Sequence, residues 1–286
     1  MRVRTRAMVA AGVALAAVAA FGVYLGSREI VGKLPLPTVQ GCTVQADGQV
    51  NLNPEQMANA ATIAAIGVQR KMPEQAVVVA LATAFQESRL ENLAGGDRDS
   101  IGLFQQRPSQ GWGTPEEIRD PRYAAKKFYA ALKKVKGWEA MRVTDAAQRV
   151  QRSAFPEAYE KWADESAVLT RALLGNATGA VACTVGSEPL LRGAAAAAAL
   201  THGLNLDWGK LQTTVPAELT GLAVPAANLQ TGWRYAHWLV SHARDNGVKR
   251  VSFENLEWTA DDGTWAPVEN GSANSALVVA EVYAEG

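Results

Sequence analysis

At 286 residues, with 48% hydrophobic and 20% charged positions, the chain is long enough for two domains and too apolar for wholesale disorder. Lys and Arg total 28 and Asp and Glu total 28, so the net charge is zero; with neither a basic excess nor a basic stripe, no nucleic-acid partner is expected. The two cysteines lie far from each other, neither they nor the three histidines form a CxxC or HExxH motif, and no metal is expected. GxxxxGK[ST], GxGxxG and GxSxG are also missing, which argues against nucleotide and α/β-hydrolase chemistry.

In chain order, residues 1–6 form a basic tail with Arg2, Arg4 and Arg6, and residues 7–27 run without a charge. At 1.5 Å per residue that run spans roughly 30 Å, the thickness of a bilayer core. The arginines should stay cytoplasmic, which predicts a single-pass signal anchor in the cell membrane and an extracellular bulk. A cleavable signal peptide is the competing reading and makes the protein secreted. The apolar character continues through Phe21-Gly22-Val23-Tyr24-Leu25 without a clean A-x-A site. Residues 28–50, with Pro35 and Pro37, read as a linker. In an oxidising compartment Cys42 and Cys183 most simply pair, closing a loop of 141 residues. A nucleophilic Cys with a His partner, as in a peptidase, is the functional rival.

Residues 51–176 read as a mostly α domain. Asn53-Pro54-Glu55-Gln56 and Thr114-Pro115-Glu116-Glu117 are helix starts, Pro73 and Asp120-Pro121 open further helices, and Pro156 opens a last one that Gly175 stops. Residues 177–212 are an Ala/Gly-rich stretch, a weak helix or linker. Residues 213–286 read as a small α+β accessory domain: an amphipathic helix over 231–246, strands over 248–253 and 256–259, and a closing strand over 276–283. The expected fold class is therefore α+β: an anchor helix, a helical domain and a small C-terminal α+β domain. The tryptophans from Trp233 to Trp265 more often build a core than a carbohydrate platform, and His237 and His242, five apart, do not share a helix face.

One stretch carries chemistry. Glu87 lies near the C-terminus of an otherwise apolar helix, with Thr83 and Ala84 one turn earlier on its face. An apolar setting and a negative helix end both disfavour the charged carboxylate, and a carboxylic acid that keeps its proton is what glycosidic cleavage requires. Taken alone, a Glu at a helix end is usually just solvated. Here, Glu87-Ser88 is followed by the Gly95-Gly96-Asp97-Arg98-Asp99-Ser100 connection, then Gly102-Leu103-Phe104-Gln105, then Gln106 through Gly113. This order resembles the lysozyme-like superfamily of soluble lytic transglycosylases and goose-type lysozymes, in an actinobacterial exported branch, over about residues 50–175.

The resemblance implies a lysozyme-like domain that cleaves the β-1,4 bond between N-acetylmuramic acid and N-acetylglucosamine in peptidoglycan glycan strands, without a cofactor. Glu87 is then the general acid and base. Ser88, Gly102, Leu103, Phe104, Gln105, Gln106 and Trp112 line the substrate site, with Ser109 a further donor. Family enzymes carry a late Tyr that hydrogen-bonds the acid, usually in Ala-Tyr-Asn-Ala-Gly; this chain departs from that motif, and the candidate is Tyr159 in Ser153-Ala154-Phe155-Pro156-Glu157-Ala158-Tyr159. Asp99 is the candidate second carboxylate, although Asp in such a loop commonly serves turns and caps. Hydrolase and transglycosylase chemistry remain open, and the alternative is a non-catalytic wall-binding or secretion scaffold that retains the fold.

Overall fold

The computed structural model describes residues 40–186, 188–216, 219–268 and 274–285; the tail and anchor expected over residues 1–27 lie outside them. No helix of the described residues is long and apolar enough to cross a membrane. Residues 40–286 gather into one unit.

The chain opens with a hairpin, β1 (Gly41–Gln45) and β2 (Gln49–Leu52), inside what the sequence suggested was linker. Alternating burial explains it: Cys42, Val44, Val50 and Leu52 all turn inward. Helix α1 (Pro54–Gln69) starts at a complete capping box, in which Asn53 Oδ1 accepts from the Gln56 N–H and Gln56 Oε1 from the Asn53 N–H. Its small, apolar residues are buried almost all round, so it runs through the centre of the molecule. Against it pack α2 (Glu74–Ser88) and, after the single turn α3 (Pro115–Ile118), capped by Thr114, α4 (Pro121–Leu132), capped by Asp120, on which α3 rests. Helices α5 (Val143–Gln151) and α6 (Ala163–Leu173) complete the helical layer. The last helix expected from Pro156 begins instead as a turn and a 3₁₀ segment, Glu160–Trp162, before α6 proper.

Strand β3 (Val181–Thr184) returns to β1, placing Cys183 directly opposite Cys42, and the disulfide is formed there. The stretch expected as an Ala/Gly-rich connection thus supplies β3 and a 16-residue helix, α7 (Gly193–Trp208), whose inner face packs on α1. The remaining elements are β4 (Gly221–Pro225), α8 (Leu229–Ser241), the short α9 (Ala243–Asn246), β5 (Val248–Glu254), β6 (Leu256–Thr259), β7 (Trp265–Pro267) and β8 (Asn274–Val282). The strands form an antiparallel sheet in the order β4-β8-β5-β6-β7, covered by α8. The fold is mixed α+β, a helical layer with a C-terminal sheet.

Two side-chain clusters bind the sheet half to the helical half. Asp207, fully buried on α7, accepts hydrogen bonds from Thr62 of α1 (2.9 Å) and Trp238 Nε1 of α8 (2.7 Å), and pairs with Arg122 of α4. His237 of α8 bridges Ala172 O of α6 (2.8 Å) and Ala180 N (2.9 Å), leading into β3. Trp233, Trp238 and Trp258 are buried and Trp265 is half-buried against them, so these residues build core.

Candidate functional site

Glu87 occupies the penultimate position of α2, half-buried, while Thr83 and Ala84 one turn earlier are fully buried. The helix ends sharply because Arg89 and Leu90 take left-handed φ values of 57° and 62°. Their amides turn back to Phe85 O (3.0 Å) and Ala84 O (3.2 Å), satisfying carbonyls that the helix leaves open. Leu90 drops into the core and anchors this reversal.

The chain then loops out and returns as a tight turn. Ile101 and Gln106 pair across it, and Gly102 has a φ of +76°. A Cβ at Gly102 would stand 2.9 Å from Ile118 O, so both conformation and space call for glycine. Ser88 ties the turn to the helix: its hydroxyl lies 2.7 Å from Leu103 O and 3.0 Å from Ala84 O. Leu103 and Phe104 are fully buried, Phe104 stacking on Phe128 at 4.8 Å. Gln106 is buried and donates to Ala124 O. Of the residues that the sequence suggested would line a substrate site, Ser88, Leu103, Phe104 and Gln106 therefore set the turn from within, and Gln105 and Trp112 are partly exposed.

Tyr159, 72 positions downstream, comes to Glu87. Its hydroxyl donates to Glu87 Oε1 at 2.7 Å, and its ring is fully buried. Burial first, then the Glu87 charge and this hydrogen bond, hold the phenol well above its ordinary range, so it remains a donor. Glu87 Oε2 has no hydrogen-bond partner among the described residues. With a donor fixed on Oε1, a proton carried by the acid belongs on Oε2, the free oxygen.

Asp99 faces its own loop. One oxygen accepts from Arg107 Nε (2.7 Å) and the other from the Ser109 N–H (2.8 Å). Those two contacts, the Ser109 amide foremost, hold its carboxyl well below the usual range. Asp99 braces the connection, and each of its oxygens is engaged by its own loop.

The sequence did not single out the aromatic stack at this end of α2, on the side of Phe85, Gln86 and Arg89. Phe85 and Trp162 stack at 5.1 Å with ring planes 7° apart, and the Arg89 guanidinium lies 4.3 Å above the Trp162 ring. Trp162 Nε1 donates to Gln86 Oε1 at 3.0 Å, fixing that stack to the helix that carries Glu87. The available signal was faint: Tyr159 and Trp162 sit three apart, but a chain reversal brings them to α2. On the other side, Gln151 Nε2 of α5 donates to Phe104 O (2.8 Å), joining α5 to the turn. The search of protein-family models finds no match for the chain, and neither does the search of curated proteins.

Proposed function

We propose that the protein cleaves the β-1,4 bond between N-acetylmuramic acid and N-acetylglucosamine in peptidoglycan, outside a cell membrane to which residues 7–27 anchor it. The observation that carries the reading is one carboxyl with unlike oxygens: Oε1 held by Tyr159 at 2.7 Å, Oε2 free, on a half-buried side chain beside a glycine-dependent turn.

Glu87 Oε2 gives its proton to the glycosidic oxygen as the C1–O bond breaks and positive charge develops on the sugar ring. The Tyr159 hydroxyl stabilises the carboxylate that this leaves. That carboxylate then takes a proton from the nucleophile closing on C1. The engagement of Asp99 by Arg107 and Ser109 within its own loop supports Glu87 serving both steps, with the muramic 6-hydroxyl of the same sugar as the nucleophile. The product is a 1,6-anhydro end, lighter than a hydrolysed end by one water. Incubating the full chain with purified sacculi and weighing the new glycan ends tests this. Anhydro ends are expected; hydrolysed ends alone would overturn the internal attack, and no soluble glycan would favour the scaffold reading.

A further inference from the structure

The zero net charge conceals a local excess. Lys127 and Ala131 lie one turn apart on α4, and Lys134 follows in the turn just after it; Arg149 and Arg152 at the end of α5 line the same cleft. They line a cleft of about 730 Å³ that also takes in Trp112, and an adjoining cleft of about 800 Å³ repeats Lys134, Arg149 and Arg152 and adds Lys136. The two share Lys134, Val135, Arg149 and Arg152, so they adjoin and together make one basic groove. Five cations face it, and among the described residues no carboxylate lines it. None of the five takes part in an ion pair among the described residues; Lys127 instead sits 5.0 Å over the Tyr123 ring.

Helix dipoles account for part of this, since cations near the ends of α4 and α5 are favourable there. They do not account for Lys127 in mid-helix or Lys136 beyond the last turn, nor for mutual repulsion left without acidic partners. Some cations elsewhere on the surface are paired, Arg142 with Asp145 and Glu157, Arg250 with Glu257 and Glu281, Arg171 with Asp47; what sets these five apart is that they share one cleft with no carboxylate among its described lining. A run of like charge in a groove focuses potential for the opposite sign.

We propose that this groove binds a linear polyanion, a non-nucleic chain carrying phosphate or carboxylate on successive units. Its concave form suits a chain in preference to a membrane surface, and the half-buried Trp112 offers a ring against which a sugar or polyol unit can lie. Gln151, which also lines the groove, holds Phe104 O, so the groove adjoins the turn beside Glu87. Binding here does not depend on the chemistry assigned to Glu87, and the test involves no turnover.

The test is calorimetric titration of the full chain with poly(glycerol phosphate), polygalacturonate, oligothymidylate and vesicles containing phosphatidylglycerol, repeated across salt concentrations. We expect one of the first two to bind most tightly, and which of them does so assigns phosphate or carboxylate. The variant Lys134→Gln/Arg149→Gln/Arg152→Gln, all at exposed positions, should weaken that binding at least tenfold and flatten the slope of log K against log salt by about 2. A control, Lys71→Gln/Lys210→Gln/Arg244→Gln, removes the same charge from other exposed positions and should leave binding within threefold. Equal losses in both variants, or tightest binding to oligothymidylate or vesicles, would overturn the proposal.

Discussion

Acid should loosen the joint between the two halves of the molecule through one imidazole. His237 is fully buried, and its two ring nitrogens have opposite duties: Nε2 accepts from the Ala180 N–H at 2.9 Å, so Nδ1 carries the hydrogen and donates to Ala172 O at 2.8 Å. A proton added to Nε2 would confront that amide donor. Burial, only partly offset by the Ala172 contact, pushes the ring down from 6.5 to about 4. Between these values the unfolded chain binds the proton that the folded chain refuses, so stability is full above pH 6.5 and falls as pH drops toward 4. The loss through this ring works out at about 1.4 kcal/mol at pH 5.5 and about 3 kcal/mol at pH 4, against a total of ~5–15 kcal/mol for a typical protein. The assay is urea unfolding at pH 7, 5.5 and 4 of the wild type and His237→Gln, whose amide does not titrate. Because His242 and the carboxylates are common to both, the stability gap between the two proteins isolates His237. The variant should be the less stable at pH 7, and the gap should shrink by the amounts given. A gap that stays constant from pH 7 to pH 4 would refute the reasoning.

Further outcomes follow from the same contacts. Tyr159→Phe keeps the buried ring and removes only the hydroxyl on Glu87; a hydrogen bond to a charged group is worth ~1.5–3 kcal/mol, so glycan release from sacculi should fall roughly 10- to 150-fold without loss of the fold by circular dichroism. Asp207→Ala strips Arg122, Thr62 and Trp238 of their shared acceptor and should cost ~3–5 kcal/mol in urea unfolding, as breaking a buried pair does. Reducing Cys42–Cys183 opens a 141-residue loop and should lower stability by up to ~5 kcal/mol, read as a shift in the urea midpoint on adding reductant. Gly102→Ala forces a left-handed φ on a residue with a Cβ 2.9 Å from Ile118 O, and should lower glycan release while leaving α2 intact.

Where the chain announces itself by local chemistry, the sequence was readable. The caps at Asn53, Thr114 and Asp120 sit where their side chains predict, because a cap is settled within four residues. The hairpin strands over 248–259 were legible from alternation and a nearby turn. The first three strands were not: β1 and β2 are a hairpin of only five and four residues, and β3, four residues long, finds its partner β1 over a separation of 141. The Ala-rich helix α7 was ambiguous because alanine fits a helix with or without a neighbour, and only its packing on α1 fixes it.

At the candidate site, Glu87 and its turn could be singled out from residue order alone, whereas the state of each group depended on distant segments. Tyr159 reaches Glu87 from 72 positions away, and Asp99 is claimed by Arg107 and Ser109. The basic groove was hidden by the total: Lys127 belongs to α4, Lys134 to the turn after it, and Arg149 and Arg152 to the end of the next helix, and the zero net charge averages them against acids elsewhere. One such acidic surface, with Asp47, Glu74, Asp164 and Glu165, lines a separate cleft.

The proton on Glu87 is the central claim, and Glu87→Gln tests it most directly, since the amide preserves size and can still accept from Tyr159 but has no acidic proton to give. Soluble glycan released from purified sacculi should fall by at least a thousandfold, while the variant unfolds in urea at the wild-type midpoint. Release at the wild-type rate would contradict the account.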